Sequence, residues 1–253
     1  MLDIIVIIAA TAAAAIIDGY TGEIPEWITI PLMVSGIAYA FFNGFFTESV
    51  IVTVATLGVG YLLYYTGELG GGDVLLLAGI SAWKPWIELA GIPIPASLII
   101  LVLGLMLSSV FFSVFYAILL GRKRKTFLAI PIAYPFLPPA LALLYGAAVT
   151  AYLGQKYRED LFVREKSVDQ LLPEDVLAEP VDALPPGKKV LEKKDIETLK
   201  ERGVKTVKTL ENLPRFGPFI LLALLMLLWL ESNPLYLQYY ASSFLSFNVR
   251  LYP

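Results

Sequence analysis

The sequence contains no cysteine and no histidine among its 253 residues, and only 16% of them are charged. Without histidine, the chain has no Ser-His-Asp or Cys-His nucleophile system. Without either residue, it has no ordinary zinc site, iron–sulfur cluster or disulfide framework. Acid–base chemistry near neutral pH must then use carboxylates, lysine or tyrosine. The net charge of −3 gives no nucleic-acid signal, so we expect no nucleic-acid partner.

Hydrophobic residues make up 57% of the chain, compared with about 45–50% in an average soluble domain. The charges are concentrated in residues 155–214, which hold 25 of the 41 charged side chains. The remainder consists of apolar runs, several of them near the roughly 20 residues that cross a bilayer. The candidate spans are 2–17, 28–46, 50–66, 73–91, 95–120 and 216–230. The pattern predicts an all-α polytopic membrane protein with about six transmembrane helices and a small mixed α/β cytoplasmic domain inserted before the last helix.

Four segments follow from this distribution. We expect a membrane core in 1–125, an apolar proline-rich stretch in 126–154, a charged soluble domain in 155–214, and the last transmembrane helix with a tail in 215–253. The second segment is either a kinked span or a re-entrant hairpin.

The charged domain shows a helical pattern at 192–202, with Ile196 and Leu199 on one face. Gly203 is a typical helix stop, and the Val-Lys-Thr-Val run at 204–207 is typical of a short strand.

The orientation follows from the dense basic loop at residues 122–125, which the positive-inside rule places in the cytoplasm. Counting spans backwards puts the loops 18–27 and 67–72 on the same side and the N-terminus outside. The first apolar run lacks a basic leading segment and a small-residue cleavage site, so we expect it to be a retained span. Neither cytoplasmic loop contains lysine or arginine.

Nine acidic residues lie outside the charged domain, and two of them stand at the predicted cytoplasmic boundary. The nine are Asp3, Asp18, Glu23, Glu26, Glu48, Glu68, Asp73, Glu88 and Glu231. Asp18 closes the first apolar run and Asp73 opens the fourth. Each could instead cap a helix end, although a carboxylate at a helix C-terminus opposes the macrodipole. If the two meet, they share a proton, and such a pair activates water and protonates a leaving amine without histidine or metal.

Three glycines, Gly70, Gly71 and Gly72, directly precede Asp73. A glycine run permits unusual backbone angles and the close approach of another chain. The run is therefore either a flexible turn or a backbone surface that accepts an extended peptide beside the carboxylate. A phosphate cradle is disfavoured, because no lysine follows and the aspartate would repel an anion.

Gly70 to Asp73 matches the GxGD pattern of membrane aspartyl proteases. The segment from Asp18 to Pro25, which ends in Ile24-Pro25, resembles the other motif of the type IV prepilin peptidases. The charged domain before the last helix, with the Leu-Pro-Arg-Phe-Gly-Pro-Phe entry at 213–219, resembles the archaeal branch of that family, the prepilin and preflagellin (prearchaellin) peptidases. The resemblance covers most of the chain. It implies a cytoplasmic charged domain, and it therefore favours the re-entrant hairpin over a single span for 126–154.

The resemblance implies an aspartic endopeptidase that removes short leaders from archaellin or pilin precursors at the cytoplasmic face of the plasma membrane. It implies Asp18 and Asp73 as the catalytic pair, with Gly70, Gly71, Gly72, Ile24 and Pro25 as motif residues near the substrate backbone. No cofactor and no metal are expected. Because such leaders are basic, we expect the acids of the two cytoplasmic loops to bind them: Glu23, Glu26 and Glu68.

Two other functions fit parts of the sequence. A presenilin-like or signal-peptide-peptidase-like protease also uses GxGD together with Pro-Ala-Leu, which occurs at 139–141. However, Ile17 rather than tyrosine precedes Asp18, and the helices that normally precede that aspartate are absent. A small ion-coupled transporter would use the two aspartates as cation sites, but carrier sites usually lie near the midplane rather than at one membrane face.

Overall fold

The computed structural model describes residues 2–66, 69–89, 92–122, 125–173, 175–185, 188–210 and 215–233. The chain is mostly helical with a small amount of sheet. Ten α-helices and five strands are described. The helices are α1 (Leu2–Thr21), α2 (Glu26–Asn43), α3 (Phe46–Thr66), α4 (Gly71–Trp83), α5 (Ala96–Gly121), α6 (Ala129–Ala133), α7 (Pro139–Lys156), α8 (Arg158–Leu161), α9 (Lys193–Glu201) and α10 (Gly217–Ser232). The strands are β1 (Trp86–Leu89), β2 (Ile92–Pro95), β3 (Val163–Ser167), β4 (Val176–Leu177) and β5 (Thr206–Leu210).

Three described helices, α1, α3 and α5, are long and apolar enough to cross a membrane. Helices α4 and α10 are apolar but shorter. These helices support the predicted membrane protein, while the count of about six spans stays a prediction.

The predicted span 73–91 is wrong in its second half, because α4 ends at Trp83. Lys84 precedes Pro85, and a residue before proline is disfavoured in the helical region. The chain then forms an antiparallel hairpin of β1 and β2, in which Trp86 pairs with Pro95 and Leu89 with Ile92. Residues 90 and 91 lie outside the described part.

The chain divides into two compact units, and α4 is the central helix of the first. Ten of its thirteen residues are buried, which is typical of a helix surrounded by protein. It packs along α2, where an added Cβ at Gly36 would lie 2.9 Å from the backbone carbon of Ala82. The Trp83 indole Nε1 donates a hydrogen bond of 2.8 Å to the Leu32 carbonyl. Helix α1 packs along α10 in the same unit.

Small and hydroxyl side chains join α3 to α4, as is common between helices in membranes. Ser49 Oγ donates to the Ala82 carbonyl at 2.7 Å. Thr56 Oγ1 lies 3.2 Å from Ser81 Oγ and 2.8 Å from Ser97 Oγ at the start of α5. These contacts hold α4 from a second side.

In the second unit, residues 125–157 run as a hairpin against the later part of α5. The rings of Phe127 and Tyr157, at its two ends, meet edge to face with centroids 5.3 Å apart. Tyr134, near its turn, hydrogen-bonds Ser113 of α5. The returning helix α7 is fixed to α5 by Thr150 Oγ1, which donates to the Ser109 carbonyl at 2.6 Å. Whether this segment is the re-entrant hairpin expected from the sequence or a kinked span stays a prediction, because its position in the membrane is not observed.

The polar part of the second unit forms an antiparallel sheet in the order β3-β5-β4, with α9 beside it. Ile196 and Leu199 are buried in its core, and Gly203 ends α9 with a φ of 70°, so the predicted helix and its stop are confirmed. The following strand begins at Thr206 rather than at Val204. The mixed α/β character of the insert is therefore confirmed.

Candidate active site

Asp18 lies inside the last turn of α1 rather than at its end. The helix continues to Thr21, and Gly22, with a φ of 83°, ends it while its N–H donates to the Asp18 carbonyl at 2.8 Å. The Asp18 residue is only 4% exposed. Its carboxylate therefore faces protein instead of serving as a terminal cap.

Two groups from the start of α10 contact this end of α1. The backbone N–H of Gly217 donates to Asp18 Oδ2 at 2.9 Å. The guanidinium of Arg215 donates to the carbonyl of Gly19 and interacts electrostatically with the Asp18 carboxylate. Asp18 is thus held by a segment of chain 199 residues away.

Asp73 is the third residue of α4, and Gly70 is the helix N-cap. The Asp73 carboxylate accepts a hydrogen bond from the Gly70 backbone N–H, as the third residue of a capping box does. Asp73 is 8% exposed, and among the described residues no group hydrogen-bonds its buried Oδ1. The hydrogen bond from Gly70 therefore involves only one of the two carboxylate oxygens of Asp73.

The fold brings the two aspartates together. Helix α1 contacts α4, and the carboxylate of Asp18 interacts electrostatically with that of Asp73. Both are buried, and both lie at the same end of their unit, since α1 ends there and α4 begins there. The arrangement is a pair of buried carboxylates from two helices.

The two sequence motifs meet at Gly72 and Ile24. A Cβ added at Gly72 would lie 2.7 Å from the Ile24 carbonyl oxygen and 2.7 Å from its Cβ. Ile24 is buried, and Pro25 occupies the N-cap position of α2 with extended backbone angles. The close approach expected at the glycine run is therefore observed, but the neighbour at Gly72 is the chain's own Ile24.

Gly70 has a separate reason to lack a side chain. A Cβ at this position would lie 2.9 Å from Oδ2 of the buried Asp73 side chain. Gly71 begins α4. Contact of Gly70 or Gly71 with substrate stays a prediction.

The predicted leader-binding acids fall in two groups. Glu23 and Glu26 are exposed, the first in the loop after α1 and the second in the first turn of α2. Glu68 lies outside the described residues. Within the described part of the chain, no group of three or more acidic side chains is placed to hold a metal ion.

Sequence reasoning did not select Arg215 and Gly217 as site residues. The sequence does mark this segment, because the Arg-Phe-Gly-Pro run at 215–218 belongs to the entry of the last helix that resembles the archaeal branch. That these residues contact Asp18 and Gly19 could not be predicted, because a contact between distant segments is not determined by a local sequence pattern.

Residues 5–122 match the model of the type IV leader peptidase family. This segment, a little under half of the chain, is therefore similar to the type IV leader peptidases. The match supports a membrane protease that cleaves leader peptides, which implies pilin-like precursors as substrates. The matched segment contains both aspartates and both motifs, and it ends before α10 begins.

No curated protein and no solved structure matched the chain.

Proposed function

We propose that the chain is an aspartic endopeptidase that removes leaders from archaellin or pilin precursors at the cytoplasmic membrane face, with Asp18 and Asp73 as its catalytic pair. The observation that carries the proposal is the pair of buried carboxylates, close enough to interact electrostatically, inside the segment that matches the family model. A buried carboxylate pair is costly in an apolar protein and is typical of function.

The chemistry needs one proton shared between the two carboxyl groups. The ionised carboxylate takes a proton from water while the water oxygen attacks the carbonyl carbon of the scissile peptide bond. The protonated partner donates its proton to the leaving nitrogen as the carbon–nitrogen bond breaks. The products are a new carboxyl terminus on the leader and a new amino terminus on the mature protein.

The Asp73 Oδ1 atom supports this use of the pair. It is buried, and in the described part of the molecule it has no hydrogen-bond partner. A buried polar atom without a partner carries a desolvation cost of about 1–3 kcal/mol, which a water molecule or a substrate amide would relieve. Asp73 therefore has one oxygen held by Gly70 and one available to the reaction.

The cytoplasmic position is supported by the arrangement of the helix ends. The basic loop at 122–125 orients the membrane core with the end of α1 and the start of α4 inside. A pilin-like precursor presents its leader in the cytoplasm and its hydrophobic helix in the membrane. Its cleavage site would then reach the end of the unit that carries Asp18 and Asp73.

The test uses the purified full chain in detergent with a leader-bearing archaellin or pilin precursor. We expect a mobility shift and a single new N-terminus at the boundary between leader and hydrophobic helix, identified by mass spectrometry. A precursor with its leader already removed is the matched substrate control. Cleavage of this control at other sites, or an intact precursor under all conditions, would contradict the proposal.

Neutralising Glu23 and Glu26 together, as E23Q/E26Q, should raise KM for a basic-leader precursor about 2- to 10-fold and leave kcat unchanged. Both side chains are exposed, so each contributes only the modest attraction of a solvated ion pair. The KM difference should shrink as salt is added, because salt screens exposed charges. Steady-state kinetics at two ionic strengths measure the KM difference and its dependence on salt.

The matched control for this pair is E48Q, an exposed acid in the first turn of α3, at the opposite end of α2 from Glu26. It should leave KM unchanged. Equal KM values for E23Q/E26Q and the unaltered protein would eliminate the leader-binding role of these acids.

A further inference from the structure

The start of α10 lies outside the segment that matches the family, yet it contacts the Asp18 end of α1 twice. The contacts are the Gly217 N–H on Asp18 Oδ2 and the Arg215 guanidinium on the Gly19 carbonyl. Neither residue carries a role in the motifs described above. Their position raises the question of what α10 contributes to the site.

The Gly217 contact follows from how α10 begins. Gly217 is its first residue and Pro218 its second. The first backbone N–H groups of a helix have no partner inside the helix, and Pro218 has no N–H at all. The Gly217 N–H therefore has no partner within α10. It lies at the positive end of the helix dipole and donates its hydrogen bond to a carboxylate oxygen of Asp18.

Only glycine leaves room for this contact. A Cβ at residue 217 would lie 2.9 Å from Asp18 Oδ2 and 3.1 Å from the Asp18 Cβ. Any larger residue must push the carboxylate or the helix away. Because Gly217 has no side chain, α10 can approach Asp18 closely enough for this hydrogen bond to form.

Arg215 supplies a charge that α1 lacks. The last turn of α1 contains no basic residue. The final carbonyls of a helix have no partner inside it, and a cation there is favourable. Arg215, two residues before α10, provides this cation and donates a hydrogen bond to the carbonyl of Gly19, the residue next to Asp18.

The far end of α10 is tied to the helix that carries the second aspartate. Glu231, in its last turn, accepts a hydrogen bond of 2.9 Å from Lys84, the C-cap of α4. Helix α10 thus contacts α1 beside Asp18 at one end and the end of α4 at the other. It is placed to fix both aspartate-bearing helices at once.

We propose that Arg215 and Gly217 are positioning residues, which hold the Asp18 carboxylate in the orientation that catalysis requires. The inference rests on the proposed function, in which Asp18 is catalytic. Because the Gly217 N–H donates to Oδ2, we assign the other carboxylate oxygen of Asp18 to the attacking water. The catalytic unit is then made of three helices, α1, α4 and α10, and is incomplete in the matched segment alone.

The experiment compares G217A, R215Q and R215K in the full-length purified protein, with kcat and KM measured on a leader-bearing precursor. We expect kcat to fall about 10- to 100-fold in G217A and about 10-fold in R215Q, with KM unchanged, since small misplacement of a catalytic group has effects of this size. R215K keeps the charge and a donor for the Gly19 carbonyl, so it should recover most of the kcat. The matched glycine control is G58A, because a Cβ at this exposed position of α3 meets nothing within 4 Å.

Each outcome decides the proposal. Unaltered kcat in R215Q and G217A would overturn it, as would a change in KM alone or a loss in R215Q that R215K does not restore. Arg215 is exposed, so the two arginine variants settle the question even if G217A does not yield folded protein. A D18N variant measured in parallel separates the proposed function from the positioning role. Activity in D18N would refute the catalytic pair. An inactive D18N together with fully active R215Q and G217A would refute only the positioning role.

Discussion

Replacing either Asp18 or Asp73 with asparagine should abolish leader cleavage, with kcat reduced by about 10³-fold or more in each single variant. Asparagine keeps the shape of the side chain but neither takes a proton from water nor gives one to the leaving nitrogen. Because the proton passes between both members of a pair, one remaining carboxylate does not sustain the cycle. Single-turnover cleavage of a precursor, followed on a gel, measures the loss.

The folded state should survive these changes. In D18N, the side-chain amide oxygen can still accept the Gly217 N–H that now reaches Asp18 Oδ2. The matched control is D169N, at an exposed aspartate of the charged domain whose partner is Lys200, and its kcat should equal that of the unaltered protein. Measurable turnover in a monodisperse D18N or D73N preparation would refute the carboxylate pair.

The parts of the fold that the sequence predicts are those in which a local pattern determines the structure. The first, second, third and fifth apolar runs became helices because each is a long stretch without proline-rich interruptions or clustered charges. Ile196 and Leu199 were correctly placed on one helix face, since their spacing follows the helical period. The wrong boundary of the predicted span 73–91 also has a local cause. Pro85 disfavours a helical Lys84 and so ends α4 at Trp83, whereas the span was predicted from hydrophobicity alone.

The site was predictable as two separate motifs, whereas their contact was not. Asp18 and Asp73 stand out because an acid at a membrane boundary is rare in such an apolar chain. The packing of Ile24 on Gly72, which joins the motifs, requires the close approach of α2 and α4, and this approach depends on the absence of side chains at Gly36 and Gly79. The role of Gly217 requires contact across the whole chain.

Replacing Gly72 with alanine should reduce kcat by about 100-fold or more and lower the stability of the protein by about 1–3 kcal/mol. The added Cβ would lie 2.7 Å from the Ile24 carbonyl oxygen, a distance at which backbone must shift. Ile24 is buried and Pro25 restricts the backbone after it, so the displacement falls on the start of α4. Asp73 is the next residue, and it moves with the helix. Cleavage kinetics and the thermal unfolding midpoint in detergent measure the two effects.

A rescue experiment identifies the cause of this loss. If the clash involved only the Ile24 side chain, trimming it would restore activity, but the shortest contacts are to the Ile24 Cβ and carbonyl oxygen, both of which alanine retains. The double variant I24A/G72A should therefore remain inactive. The control G58A adds the same methyl group where nothing lies within 4 Å and should behave as the unaltered protein. Recovery in I24A/G72A, or full activity in G72A alone, would show that the contact between the two motifs does not set the position of Asp73, and the second glycine of the GxGD pattern would then need another explanation.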